Sequence, residues 1–347
     1  MPKDLYFDIA IVGQGIAGTL MAWFLFKHGK KVLIIDDDFK GSSSKIAAGI
    51  VNPITGKNFV NSWRIHEFLP VAIEAYDDLS DFLGIKTYTK ANIVLSLYTI
   101  EDENKWLSKA GGSDGSQYIV PYPDLSEFSG KVDPQFSYGE LQGTFSVHIF
   151  DLMKSFRKKW VQNDSYLKDT FNYNELTILP ESLQYKNYFF KEIVFCEGYK
   201  ALNNPYFTEI GFAPSKGEVL ILKIPGAPFK KMYKDGVFIM HQEDDLYWVG
   251  SGYEWDTLDE SPTEKKFQLL SKQAKRILKI PYEVVDHRAA IRPTMHDRRP
   301  IFLVHKEIDG MYLFNGLGTK GASISPFLAR QFSRYIIGKN PENLIFA

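Results

Sequence analysis

Along this chain, apolar positions fall first in dense runs and later in alternating or helical spacing. Phe7 to Val12 reads as a strand of the kind buried on both faces of a parallel sheet. A glycine-rich turn follows, Gly13-Gln14-Gly15-Ile16-Ala17-Gly18, and then a helix to about His28, with Gly29 where a C-terminal cap belongs. Lys31 to Ile35 is a second strand ending at Asp36. The stretch Phe7 to Phe26 is apolar and long enough to suggest a membrane span. Asp8, Gln14 and the small-residue breaks divide it more naturally into strand, turn and helix.

Further on, Leu69, Ile73, Tyr76 and Leu79 recur at helical spacing within Trp63 to Leu83. Lys86 to Tyr98 turns strand-like, Gly111 to Gly139 is rich in loop residues, and His148 to Trp160 predicts a helix. Glu192 to Gly198 reads as another buried strand. Gly217 to Ile224, Gly236 to His241 and Leu246 to Tyr253 are strands whose Gly, Pro and Asp punctuation predicts an antiparallel meander. In Glu264 to Lys279 the cations Lys265, Lys272, Arg276 and Lys279 lie opposite Phe267, Leu270, Ala274 and Ile277, the pattern of an amphipathic helix with a solvated face. A closing helix spans Ser323 to Ile337.

At 347 residues the chain is long enough for two domains, and 44% hydrophobic with 24% charged residues is ordinary globular composition. A formal net charge of −1 argues against a protein built around nucleic acid. The single cysteine, Cys196, excludes an internal disulfide or Cys-cluster metal site. The 7 His show no metal-ligand spacing on a helix, so no metal is expected. Met1-Pro2-Lys3-Asp4 carries no signal-peptide features. A cytoplasmic protein with no membrane partner is the expectation.

Gly13, Gly15 and Gly18 form Gly-x-Gly-x-x-Gly between a strand and a helix. The first permits the tight turn, the second lets backbone approach a pyrophosphate, and the third lets helix and strand pack closely. The N-terminal amides of the helix, around Ile16 and Ala17, then face the phosphates. Asp36, at the end of the second strand, suits the adenosine ribose hydroxyls. Asp37 follows in the cofactor loop, where it and Asp38 read mainly as solvated acids. The next segment distinguishes FAD from a nicotinamide cofactor. Ser42, Ser43, Ser44 and Lys45 offer polar groups for a second phosphate and a ribityl chain. Ala47, Ala48 and Gly49 let the backbone lie flat against a large ring system.

At this point the chain resembles the FAD-dependent D-amino-acid-oxidase-like superfamily, particularly its glycine and sarcosine oxidase branch. The glycine motif with Asp36 and the Ala47-Ala48-Gly49 loop carry the resemblance first. Phe195-Cys196-Glu197-Gly198 resembles the second strand-to-glycine element, although the family usually has alanines there. Lys216-Gly217-Glu218, Trp248 to Glu254, and Ile291-Arg292-Pro293-Thr294 with Asp297 and Pro300 follow in the family's order. Asn315-Gly316-Leu317-Gly318-Thr319-Lys320-Gly321 is similar to its final loop along the flavin. That last form, with Arg288-Ala289-Ala290-Ile291-Arg292, is also similar to the oxidase half of the bifunctional enzyme that trims carboxymethylaminomethyluridine in tRNA.

The resemblance implies an α/β architecture: a Rossmann-like, doubly wound FAD-binding domain with an antiparallel-sheet α+β substrate domain. Residues 1–62, 141–212 and 288–347 would form the first, and 63–140 and 213–287 the second. It implies non-covalent FAD, contacted also by Gly198, Gly316, Gly318, Thr319 and Gly321. Arg292 would hold a substrate carboxylate as well as adjoin the flavin, with an ion pair to Asp297 as the structural alternative. Tyr253 and His241 would face the flavin across the substrate, and Lys45 and Lys320 would offset charge on the reduced ring. Tyr247, Trp248 and Trp255 read as core packing, and Arg64 and His66 as residues near the pocket mouth. The implied activity is oxidation of a carbon–nitrogen bond in a small amine or amino acid, with oxygen or an electron carrier as acceptor. The alternatives are removal of a carboxymethyl group from a modified tRNA wobble uridine, the one reading with a nucleic-acid partner, and a non-catalytic flavin-binding subunit.

Overall fold

The computed structural model describes residues 5–112, 115–208, 210–226, 229–255 and 258–338. The first four residues, read above for a leader, lie outside them. Five parallel strands form the spine of one sheet, in the order Tyr166–Lys168, Val32–Asp36, Leu5–Val12, Tyr188–Phe195, Met311–Asn315. The strand Ile301–Val304 adds antiparallel to the last of these, and a hairpin of Leu176–Ile178 and Leu183–Tyr185 pairs with the first half of Tyr188–Phe195.

The helix Ile16–Lys27 explains the membrane-like stretch. Its ten residues from Ile16 to Leu25 are all buried, because it sits between the sheet and the closing helix Gly321–Ile336. A helix enclosed on every side can be apolar all round. Among the described residues no helix is long and apolar enough to cross a membrane. The closing helix also packs on Ile65–Leu83, and the Tyr76 hydroxyl donates to Ala322 O at 2.7 Å.

The second sheet has eight strands, in the order Glu283–Arg292, Ser215–Lys223, Leu246–Gly250, Val237–His241, Met232–Asp235, Ile93–Leu97, Ser137–Leu141, Ile119–Val120. All neighbours are antiparallel except Met232–Asp235 with Ile93–Leu97. This order corrects the simple meander. Ser215–Lys223 lies beside Leu246–Gly250, not beside Val237–His241, so the arrangement is of the Greek-key type. The unforeseen strand Met232–Asp235 makes the difference. Its Lys and Asp are depleted in strands generally, so composition hides it.

Alternation assigns the two faces of this sheet. Leu220, Leu222, Ile239 and Val249 pack with Leu270, Ala274 and Ile277 of the helix Glu264–Ile277. Gly217, Val219, Phe238, Trp248 and Gly250 point the other way and form one wall of a cavity between the two sheets.

Candidate active site

The first strand ends at Gly13, whose φ is +93° and whose Cβ position would lie 2.6 Å from Cys196 O. No other residue fits this turn. The following helix starts without a side-chain cap, leaving its positive end to the cavity. Ser44 closes over that end, its Oγ accepting from Ile16 N at 3.1 Å. Gly15, Ile16 and Ala17 line the cavity. Gly18 does not; its missing Cβ leaves room for Gly13 O, as helix–strand packing requires.

Asp36 is fixed at both oxygens. Oδ2 accepts from Gln14 N at 2.7 Å and Oδ1 from Asp38 N at 2.9 Å. Oδ1 also meets Tyr166 OH at 3.3 Å and Arg157 Nη2 at 3.4 Å, so it is Oδ2, with the Gln14 amide as its one donor, that keeps an acceptor direction for a hydroxyl in the cavity. Around it runs a charged network. Arg157 pairs with Asp38 and donates from Nε to Gln14 Oε1 at 2.7 Å. Lys45 Nζ pairs with Asp38 at 2.5 Å, and Lys200 Nζ with Asp37 at 2.9 Å. Burial raises the Asp38 carboxyl, but hydrogen bonds from Lys45 and Arg157 outweigh it and hold the group below its usual range. Asp37 and Asp38 are therefore ion-paired rather than simply solvated. Lys45 lines the cavity, but its charge is already met by Asp38.

Ser43, Ala47, Ala48 and Gly49 line the middle of the cavity. Trp248, expected as core packing, is buried at the cavity wall, and its Nε1 donates to Ile46 O at 2.9 Å. That bond ties the small-residue loop to the second sheet. Gly198, Gly318, Thr319, Lys320 and Gly321 also line the cavity. Gly316 does not; it backs onto Met295. Lys320 Nζ donates to Ser62 Oγ at 3.2 Å and meets no described carboxylate, and burial lowers its pKa.

Arg292 ends the strand Glu283–Arg292 and turns its guanidinium into the cavity over Gly217. Nη2 donates to Ser251 Oγ at 2.8 Å and to Gly252 O at 3.2 Å, and the plane lies 4.8 Å from the centroid of the Tyr253 ring. Among the described residues no carboxylate pairs with it, and Asp297 instead accepts from Arg299 N at 2.9 Å. Burial lowers the Arg292 pKa. A desolvated cation with no anion beside it is a ready carboxylate site.

Tyr253 lines the cavity beside Arg292 and stacks on Trp255, with ring centroids 5.4 Å apart and planes at 6°. Trp255 is 59% exposed, not core, because the chain leaves the sheet at Gly250. Tyr247 is buried, as packing required. His241 does not line the cavity. It is exposed at a strand end, and its Nε2 lies 2.6 Å from Asp244 O in the adjoining turn. Alternation explains the miss: Phe238 faces the cavity, and His241 is an odd number of residues away. Arg64 and His66 are also absent from the lining; Arg64 pairs with Glu67 and His66 stacks on Tyr118.

Sequence reasoning missed Gln14, Arg157, Lys200, Glu197, Phe238 and Lys234, all of which line the cavity. Glu197 is half-buried; its carboxyl is pushed up to about 7 by withdrawal from water, against hydrogen bonds from Tyr173 OH at 2.5 Å and Asn204 Nδ2 at 2.8 Å. Burial also pushes the Cys196 thiol well up, so it stays a neutral thiol.

The cavity measures about 900 Å³. One end offers a helix N-terminus, two serines and a ribose-competent carboxylate; the middle offers small residues against a flat wall; the far end carries cations that meet no carboxylate among the described residues. This donor set fits FAD with a small anionic ligand beside it.

A curated relative, glycine oxidase of Bacillus licheniformis, is 24% identical over 96% of this chain and 94% of its own. Among solved structures, glycine oxidase of Bacillus cereus superposes with a TM-score of 0.79 at 19% identity, covering 96% of each chain. Iminodiacetate oxidase of Chelativorans sp. BNC1 gives 0.81 at 18% identity, covering 97% of each. Residues 8–127 and 177–334 match the family model described as FAD dependent oxidoreductase, DAO. With most of its length accounted for in this way, the chain belongs to the DAO family of FAD-dependent oxidoreductases, and FAD is its cofactor.

Proposed function

We propose that the protein oxidises the carbon–nitrogen bond of a small amine or amino acid that carries a carboxylate next to the amine-bearing carbon. The Arg292 guanidinium in the cavity wall, which meets no carboxylate among the described residues, carries this reading. Ser251 Oγ, Gly252 O and the Tyr253 ring fix its plane, so its remaining N–H groups are preset for a carboxylate. That contact holds the amine-bearing carbon in one place, which is the main service the protein can render. Bound FAD supplies the two-electron acceptor for hydride from that carbon, and the imine left behind hydrolyses in water.

The lining carboxyls, Asp36, Asp37, Asp169 and Glu197, belong to the nucleotide end with Gln14, Lys200, Lys186 and Tyr173 as partners. Around Arg292 the lining supplies Tyr253 and cations, and no carboxylate base among the described residues. The amine is therefore to arrive unprotonated, and kcat/KM is to rise with pH toward the pKa of the free amine. The positive field of Lys320 favours the charge that builds up during oxidation.

The test is an anaerobic titration of the purified holoprotein with glycine, sarcosine, D-amino acids, proline analogues and carboxymethylaminomethyluridine. Bleaching of the flavin band by a small amino acid supports the proposal. A protein that none of them reduces would be a flavin-binding subunit without turnover.

One observation favours a second reading, removal of a carboxymethyl group from a tRNA wobble uridine. The half-exposed Tyr253–Trp255 stack beside Arg292 offers a flat surface for a base. Bleaching by the modified nucleoside or its tRNA alone would select this reading.

A further inference from the structure

Arg292 is not the only unmatched cation on the second sheet. Lys234 sits on the strand Met232–Asp235, in a cross-strand row that runs Lys234, Phe238, Gly250, Val219. All four line the cavity. The ammonium lies 5.3 Å from the Phe238 ring centroid and pairs with no carboxylate among the described residues. Its neighbour Asp235 cannot balance it. Alternation turns Asp235 to the opposite face, where it is buried and bonded to Tyr98 OH at 2.6 Å and Arg276 Nη2 at 2.5 Å.

An apolar residue would be the stable choice in a row that otherwise holds Phe, Gly and Val. A cation partly withdrawn from water with no partner costs stability unless a ligand completes it. The cofactor's phosphates do not meet this need, since the helix N-terminus and Ser44 that suit them lie at the other end of the cavity.

We propose that Lys234 is a second anion anchor, so that the preferred substrate is an amine carrying two acidic groups, one held by Arg292 and the other by Lys234. This rests on the amine-oxidising reading above. Lys234 lies two strands from Gly250 and three from the strand of Gly217, over which the Arg292 guanidinium sits. The two side chains rise from one face of the same sheet into one cavity. A small amine with an acidic group at each end, such as iminodiacetate, is the ligand class that would engage both. The apolar Phe238 lies between the anchors, facing the middle of such a ligand.

The experiment compares iminodiacetate with sarcosine, which keeps the secondary amine and loses one carboxylate. The variants are Lys234→Met and Lys234→Arg, each assayed as the FAD-loaded protein. Binding is read separately with the thioether analogues thiodiacetate and methylthioacetate, which lack the reacting nitrogen, by their perturbation of the flavin spectrum. The wild type is expected to prefer the diacid in both readouts. Lys234→Met is expected to lower the diacid-to-monoacid ratio at least tenfold in kcat/KM and in Kd, with Lys234→Arg recovering most of it. An unchanged ratio in Lys234→Met overturns the proposal. So does an equal loss for both ligands accompanied by a shifted flavin potential, which would assign the lysine to the cofactor. If no amine reduces the flavin, the oxidase reading fails, and the thioether Kd ratio still decides the anchor.

Discussion

The guanidinium of Arg292 occupies the space that a side chain at position 217 would need. A Cβ built on Gly217 lies 2.0 Å from Arg292 Nη2 and 2.4 Å from its Cζ. Gly217→Ala is therefore expected to push the guanidinium off Ser251 while leaving the sheet and the FAD in place. The loss of an aligned charge-assisted contact is worth about 2–3 kcal/mol, or roughly 30- to 150-fold in kcat/KM for a carboxylate substrate. Arg292→Met is expected to lose at least as much, and Arg292→Lys to recover only part, because an ammonium has no planar fork. Steady-state kinetics with FAD content measured in parallel checks this. An Arg292→Met enzyme with unchanged KM and kcat would remove Arg292 from the substrate site.

Asp36 holds the Gln14 amide and faces the nucleotide end of the cavity. Asp36→Ala removes the acceptor for Gln14 N and for any ribose hydroxyl. A weakening of FAD binding by roughly 10- to 100-fold is expected, at about 1.4 kcal/mol per tenfold. Equilibrium dialysis or fluorescence titration of the apoprotein measures it. Wild-type affinity in the variant would place the ribose elsewhere.

Glu197 links stability to pH. Withdrawal from water pushes its carboxyl up to about 7 in the folded protein, against 4.5 for the free side chain. Below the lower value both states are protonated and the residue contributes nothing to the pH dependence. As pH rises from there, the unfolded chain ionises first and stability falls, until the folded group ionises near 7 and the loss levels off. The total is on the order of 3 kcal/mol. Glu197→Gln removes the slope, so its Tm minus that of the wild type is expected to grow between pH 5 and 7.5. A flat difference would mean that Glu197 is already ionised when folded.

The only cysteine is buried at the cavity wall with its thiol held neutral. A neutral thiol is a poor nucleophile toward a flavin ring. Acid precipitation is expected to leave the yellow colour in solution. Colour retained in the pellet would establish a covalent link.

The nucleotide end was legible because local rules act there: a glycine turn, a helix start and an acid at a strand end are neighbours in sequence. Arg292 was legible through its motif. Lys234, Arg157 and Lys200 were not, since each reaches the cavity only through pairing across long sequence separations. Lys234 faces inward because Met232–Asp235 pairs with Ile93–Leu97 on one side and Val237–His241 on the other. His241 shows the converse. Its residue type suggested chemistry, but the parity of its strand turned it to the surface. The Greek-key order escaped for the same reason, as one four-residue strand decides which longer strands are neighbours.

Arg292, Lys234 and Lys320 line the cavity and meet no carboxylate among the described residues, which leaves its wall with a surplus of positive charge. Such a surface is expected to act as an anion exchanger, drawing in chloride or sulfate before substrate enters. Substrate affinity is then an exchange constant, set as much by the ion displaced as by the ligand gained. The same protein will show different apparent selectivity in different salts, with the divalent anions competing hardest against the ligands that need both anchors.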